Sequence, residues 1–275
     1  MPQSLYELLC IFIIYAFLGW CTEVSYAALD LGKFVNRGFL NGPYCPIYGV
    51  GVLIVIGVLT PLKENLLLLF AGSFFLTSVL EYVTGWVLEQ VFHNKWWDYS
   101  DFPFNIKGYV CLKFSVLWGL ACSFIMLVLH PVIYKFIQVF PKTAGVVFLI
   151  AVLSAFAVDC IFTVSTILKL NRRLKVIDEV AGMLREISDE IGENIYENVA
   201  EAMEKKEIAE KKKAEYERLA KRHKELLEDR IMGHERLLKA FPGMKSTRYN
   251  DSLQKLRLHL RELIKKGKEK EEIDR

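Results

Sequence analysis

The chain has 275 residues, 53% of them hydrophobic and 24% charged, with a mean hydropathy of +0.25. The two halves of that balance are segregated: residues 1–170 hold nine Lys/Arg and nine Asp/Glu, and residues 171–275 hold the remaining 26 and 23. One evenly mixed globular fold is excluded, as are a disordered chain for the first part and a membrane segment for the second.

A membrane-crossing helix needs about 20 mostly apolar residues, because the hydrocarbon core is about 30 Å thick and a helix rises about 1.5 Å per residue. Five stretches meet this, at Leu5–Leu29, Tyr44–Leu62, Leu66–Phe92, Leu112–Phe136 and Thr143–Leu168. All are expected to be helical, since a lone strand in lipid leaves its backbone groups unpaired. The first has no Lys or Arg before it and exceeds a signal-peptide core, so it is expected to remain as a span. The fold class predicted is therefore all-α, a polytopic bundle of about five spans over residues 1–170 with a charged cytoplasmic tail over 171–275.

Basic residues in the connections orient such a bundle. With five spans, one side carries Lys33, Arg37, Lys95, Lys107, Lys113, Lys169, Arg172, Arg173 and Lys175, and the other only Lys63, Lys135 and Lys142. The richer side is expected in the cytoplasm, which places the N-terminus outside and the tail inside. Six cysteines, at 10, 21, 45, 111, 122 and 160, show neither CxxC nor zinc-finger spacing, and no disulfide is expected.

Charged groups within spans are costly and usually have a partner or a purpose. Here they are Glu23, Glu81, Glu89 and Asp159, all in the cytoplasmic half of their spans. Glu81, Gly85, Glu89 and His93 recur every four residues and share a helix face, with Gly85 leaving a gap between the carboxylates. Gly19, Glu23 and Tyr26 make a similar strip, as do Asp159, Thr163 and Thr166. The plain structural alternative pairs these acids with Arg37, Lys95, Lys107 or Lys113 to lock helices together. Two loops on the same side are dense in Gly, Pro and aromatic residues: 36–51 with Arg37, and 93–105 with Trp96, Trp97, Asp98 and Tyr99. An interfacial aromatic belt accounts for Trp96 and Tyr99 but not for Asp98 or Asn105. Glu23, Arg37, Glu81, Glu89, Trp97 and Asp98 are accordingly expected to line one cytoplasm-facing polar pocket.

From Arg172 onward apolar residues step by threes and fours: Ile177, Val180, Leu184, Ile187, Ile191, Ile195, Val199, Ala202. The seam fades over Glu204–Glu215 and resumes at Tyr216, Leu219, His223, Leu226, Arg230, His234, Leu237 and Phe241. Phe241-Pro242-Gly243 ends that helix, and another starts near Asn250/Asp251 with Leu253, Leu256, Leu260 and Leu263 on one stripe. A hairpin within the chain and pairing between chains both fit this pattern. The near-balance of charge argues against a nucleic-acid arm.

Residues Gly19-Trp20 with Glu23, Asn36-Arg37-Gly38, Gly42-Pro43-Tyr44-Cys45-Pro46-Ile47-Tyr48-Gly49 and Gly51 form the first part of a motif set. Glu81-Tyr82 with Gly85 and Glu89, Trp97-Asp98-Tyr99-Ser100, and Ser115 with Trp118-Gly119 complete it. On these the first 170 residues or so resemble the ABC-transporter type IV, CmpB-like family of bacterial integral membrane proteins. The resemblance implies a transport permease, and a separate ATPase subunit as partner, because this chain has no GxxxxGK[ST] phosphate loop. Alternatives are a membrane-embedded enzyme acting on a lipid or isoprenoid, and a scaffold that recruits a partner or self-associates through its tail. No HExxH, GxSxG or Asp-rich metal motif appears, and neither cofactor nor metal is expected.

Overall fold

The computed structural model describes residues 2–197, 204–229 and 233–273. Among these the chain is all-α apart from a few two-residue strands. α1 (Leu5–Leu31) starts on Ser4, whose side chain accepts from the Glu7 N–H, and stops at Gly32 in the left-handed region. α2 (Pro46–Leu59) places Pro46 in its first turn, where the missing N–H costs nothing, and runs into a 3₁₀ turn at Thr60–Leu62. α3 (Leu66–Phe92) is capped by Asn65 and ended by His93 at φ 54°. α4 (Leu112–Phe124) and α5 (His130–Val139) are joined by a wide π turn at Ile125–Leu129. α6 (Lys142–Glu197), α7 (Glu204–Glu228), α8 (His234–Ala240) and α9 (Asn250–Ile273) complete the order.

Among the described residues four helices are long and apolar enough to cross a membrane: Leu5–Leu29, Leu66–Phe92, the joined Leu112–Val139, and α6. The fifth predicted stretch is shorter as a helix, Pro46–Leu62, because Tyr44 and Cys45 belong to the preceding loop. These helices expose large apolar side chains outward; Leu67 is 76% exposed, Phe75 66% and Ile161 72%. Aqueous solvent would penalise such a surface and lipid does not. The chain is a membrane protein.

Two compact units are present. The first comprises residues 1–165 together with 236–245, and the second 166–235 together with 246–275. The core of the first is formed by Ile11, Tyr15, Val52, Val55, Ile56, Leu59, Leu69, Cys122, Met126 and Ile137. In the second, α7 returns antiparallel to the later part of α6: Lys212 pairs with Glu190 at 2.6 Å while Arg173 reaches the Leu226 carbonyl at 2.6 Å. α9 joins them through Ser252, which donates to Asp178 at 2.9 Å. Ile177, Val180, Leu219, Leu253 and Leu256 are buried there, so this part of the tail packs within the chain. Of the predicted seam, Val199, Ala202 and Arg230 lie outside the described residues, as does the side chain of Ile195.

Candidate functional site

The loop after α1 is shaped by its own amides. Asn36 accepts from the Trp20 indole at 2.8 Å and from the Gly38 N–H at 3.1 Å, and donates to the Asn41 carbonyl at 2.6 Å. Asp159 on α6 holds the far side of the loop, accepting from the Asn41 backbone at 3.1 Å, its side chain at 2.8 Å and the Gly42 N–H at 2.6 Å. Thr163 donates to the same carboxylate at 3.2 Å. The intramembrane acid of α6 is thus a fastening for the loop.

That loop brings Arg37 to Glu23, with Nε 3.6 Å from the carboxylate and the guanidinium over the Tyr26 ring at 5.2 Å. Tyr48, the third residue of α2, donates to Glu23 at 2.6 Å. Its ring meets the Trp118 ring of α4 edge-on at 5.5 Å. Gly19 permits this crossing, since a Cβ there would run into the Tyr48 ring. Trp118 also lies beside Glu81 of α3, which accepts from the Tyr99 hydroxyl at 3.2 Å. The second oxygen of Glu81, Oε2, is buried with no hydrogen-bond partner among the described residues. Burial, and next the Glu81 carboxylate, push the Tyr99 phenol well above its usual range, so it stays protonated and donates.

Glu89, Trp97 and Asp98 belong to a neighbouring group. Tyr109 donates to Glu89 at 2.7 Å, and burial followed by that carboxylate raises the phenol to about 12. The Trp97 indole donates to the Tyr109 carbonyl at 2.8 Å. The gap at Gly85 is filled, because a Cβ there would lie 2.9 Å from the Tyr109 ring and 3.1 Å from the Trp97 ring. Lys95 lies over the Tyr109 ring at 5.2 Å and pairs with Asp98 at 3.1 Å. Burial disfavours the charged form of Asp98, yet hydrogen bonds from Lys245, Ser100 and Lys95 outweigh it and hold the carboxyl well below its ordinary range.

The six predicted residues therefore divide in two. Glu23, Arg37 and Glu81 meet in one acid–aromatic group, while Glu89, Trp97 and Asp98 fix the second loop against α3. Of the bases weighed as partners, Arg37 pairs with Glu23, whereas Glu81 and Glu89 take tyrosine hydroxyls instead. Tyr48, Tyr99 and Trp118 complete the first group; all three sit in the quoted motifs, but spacing alone does not point a ring at a given acid.

Spacing places Leu237 and Phe241 on the tail's seam, and the segment 236–245 that holds them packs in the first unit. Arg236 donates to the carbonyls of Gly38 at 3.1 Å, Leu40 at 2.9 Å and Phe39 at 3.1 Å. Phe241 meets the Trp96 ring edge-on at 4.9 Å, and Lys245 pairs with Asp98 at 2.6 Å.

The family described as "Putative ABC-transporter type IV" matches residues 10–164, which contain both loops and all six predicted site residues. The chain belongs to this family. No solved structure matches it. The matched stretch runs from within α1 into α6 and contains every residue of the acid–aromatic group.

Proposed function

We propose that the chain is the membrane-spanning, permease-like component of a transporter, and that Glu23, Glu81, Tyr48, Tyr99 and Trp118 form a cytoplasm-facing site for a positively charged substrate group. The supporting observation is the buried Glu81 carboxylate, which meets the neutral Tyr99 hydroxyl and Trp118 indole and has no basic partner among the described residues. A carboxylate in an apolar setting favours a cation, and the faces of Trp and Tyr add to that preference. Arg37 contacts Glu23 at 3.6 Å, too long for a hydrogen bond, and is the internal cation an incoming one would displace. The nine-against-three distribution of basic residues supports a cytoplasmic opening and tail. Energy from ATP would come from a separate subunit, because the chain carries no phosphate loop.

The test is saturable binding of tetraphenylphosphonium to the full-length protein in detergent. The wild type is expected to bind it, and Glu81→Gln to lose at least tenfold in affinity while accumulating normally, since no paired base is stranded. Absence of saturable binding to the wild type overturns the cationic reading. A Glu81→Gln variant that fails to accumulate assigns the acid to helix packing instead.

A further inference from the structure

A second set of polar groups lies in the first unit, toward the Ser4 end of α1. Along α1 the residues Glu7, Ile11, Tyr15, Gly19 and Glu23 recur every four positions, so each lies next to its successor on the helix surface. Glu23 is in the acid–aromatic group and Glu7 is at the opposite end. Between them Tyr15 is only 2% exposed, and its hydroxyl is buried with no hydrogen-bond partner among the described residues. The Tyr15 ring faces the His130 ring at 6.3 Å, and His130 Nδ1 is likewise buried without a partner. His130 in turn lies 5.8 Å from the Tyr134 ring, whose hydroxyl donates to Glu7 at 3.2 Å.

The backbone here is also irregular. The His130 N–H bonds to the Ile125 carbonyl five residues back, across the π turn Ile125–Leu129. Pro131 follows with no N–H to give the preceding turn. A widened turn of this kind recurs at functional positions. Packing accounts for none of it: Phe at 15 and an apolar residue at 130 would fill the same core without two unmet polar atoms. Buried polar groups almost always have partners, and two unpartnered atoms on rings 6.3 Å apart are groups that a water can satisfy.

We propose that Tyr15 and His130 hold an internal water and, with Tyr134 and Glu7, form a proton-binding site whose ligand is a proton carried on that water. Neutral His130 takes the proton on Nδ1, the Tyr15 hydroxyl holds the water, and the Glu7 carboxylate, linked through Tyr134, compensates the imidazolium. The other titratable side chains packed against this core are Tyr6, Cys10 and Cys122, and Lys142 lies near Glu7. The proposal rests on the transport reading only in giving that protein a proton-responsive site, and its test contains no transported substrate.

The experiment is a pH titration of ¹³C,¹⁵N-histidine-labelled full-length protein in lipid nanodiscs, with the His130 signal assigned by its loss in His130→Gln or, should that variant not accumulate, His130→Asn. The His130 signal is expected to titrate between about pH 4 and 9, with a midpoint that shifts in both Tyr15→Phe and Glu7→Gln. Density for a water between Tyr15 Oη and His130 Nδ1 is expected in an experimental map. A signal that stays constant over that range, a midpoint unmoved in both variants, or a dry contact overturns the site. Failure of tetraphenylphosphonium to bind would overturn the cationic reading and leave this one standing.

Discussion

Asp98 and Gly85 owe their places to what approaches them. An aromatic anchor needs no carboxylate, so Asp98 stands out in the sequence as a residue with a task of its own. In the structure its oxygens join Lys95, the Ser100 backbone and hydroxyl, and Lys245. Lys245 is 57% exposed, so its pair contributes at most about 1 kcal/mol, and most of the value lies in the bonds to Ser100 and Lys95. Asp98→Ala is expected to lower stability by about 1–3 kcal/mol, and Asp98→Asn by less, because an amide oxygen can still accept from Ser100. Thermal unfolding of the full chain in detergent orders the two; equal losses would show that the charge outweighs the turn. For Gly85 the spacing identified a gap, and the structure shows Tyr109 and Trp97 in it. Gly85→Ala is expected to cost about 1–3 kcal/mol, since two rings must move, and to expose Trp97. An unchanged melting temperature and unchanged Trp fluorescence would mean the rings have room to give.

Helices with long apolar runs are legible in the sequence. α3 is an example: its apolar length alone predicts Leu66–Phe92, and the structure adds Asn65 as its cap. α2 was legible in composition but not in length, because Gly42-Pro43-Tyr44-Cys45 continues the apolar run while forming loop, with Cys45 held by the Ala16 carbonyl. Segment 236–245 was hidden for a different reason. Spacing by threes and fours identifies a face to be buried and not the surface that buries it; Phe241 finds Trp96, more than a hundred residues away in sequence. The same limit applies to the acid–aromatic group, whose acids were found by their cost in lipid while the rings around them came only from packing. His234 was read as a seam residue, and it is 2% exposed, near the Thr166 carbonyl at 3.2 Å and the Arg173 guanidinium at 3.5 Å. Burial, and then Arg173, lower its pKa to about 4. An unfolded histidine titrates near 6.5, so between about pH 6.5 and 4 the unfolded chain binds the extra proton and stability falls as pH falls. The second unit is expected to lose up to a few kcal/mol across that window and nothing further below it from this group. His234→Gln should flatten this dependence in chemical unfolding of the full chain, and a slope left intact would move the effect to other groups.

At the scale of the molecule the open quantity is how often the chain crosses the bilayer, and α2 decides it. Its 14 α-helical residues rise about 21 Å and the three-residue 3₁₀ turn adds about 6 Å, close to the roughly 30 Å of hydrocarbon. Val52, Val55, Ile56 and Leu59 are buried along one side while Val58 is 55% exposed, as expected for a helix with one face to the bundle and one to lipid. A hairpin that turned back at the midplane would have to leave the non-helical backbone of Lys63–Asn65 in hydrocarbon, where unmet N–H and C=O groups are not tolerated. Lys63 and Glu64 in that turn are exposed and belong at a water interface. A full crossing therefore places Lys33 and Lys63 on opposite sides. With native cysteines replaced by Ala, Lys63→Cys is expected to react with a membrane-impermeant maleimide on whole cells and Lys33→Cys only after permeabilisation. Equal behaviour at the two positions would mean that α2 does not span, and labelling of Lys33→Cys alone would mean that the positive-inside count points the wrong way.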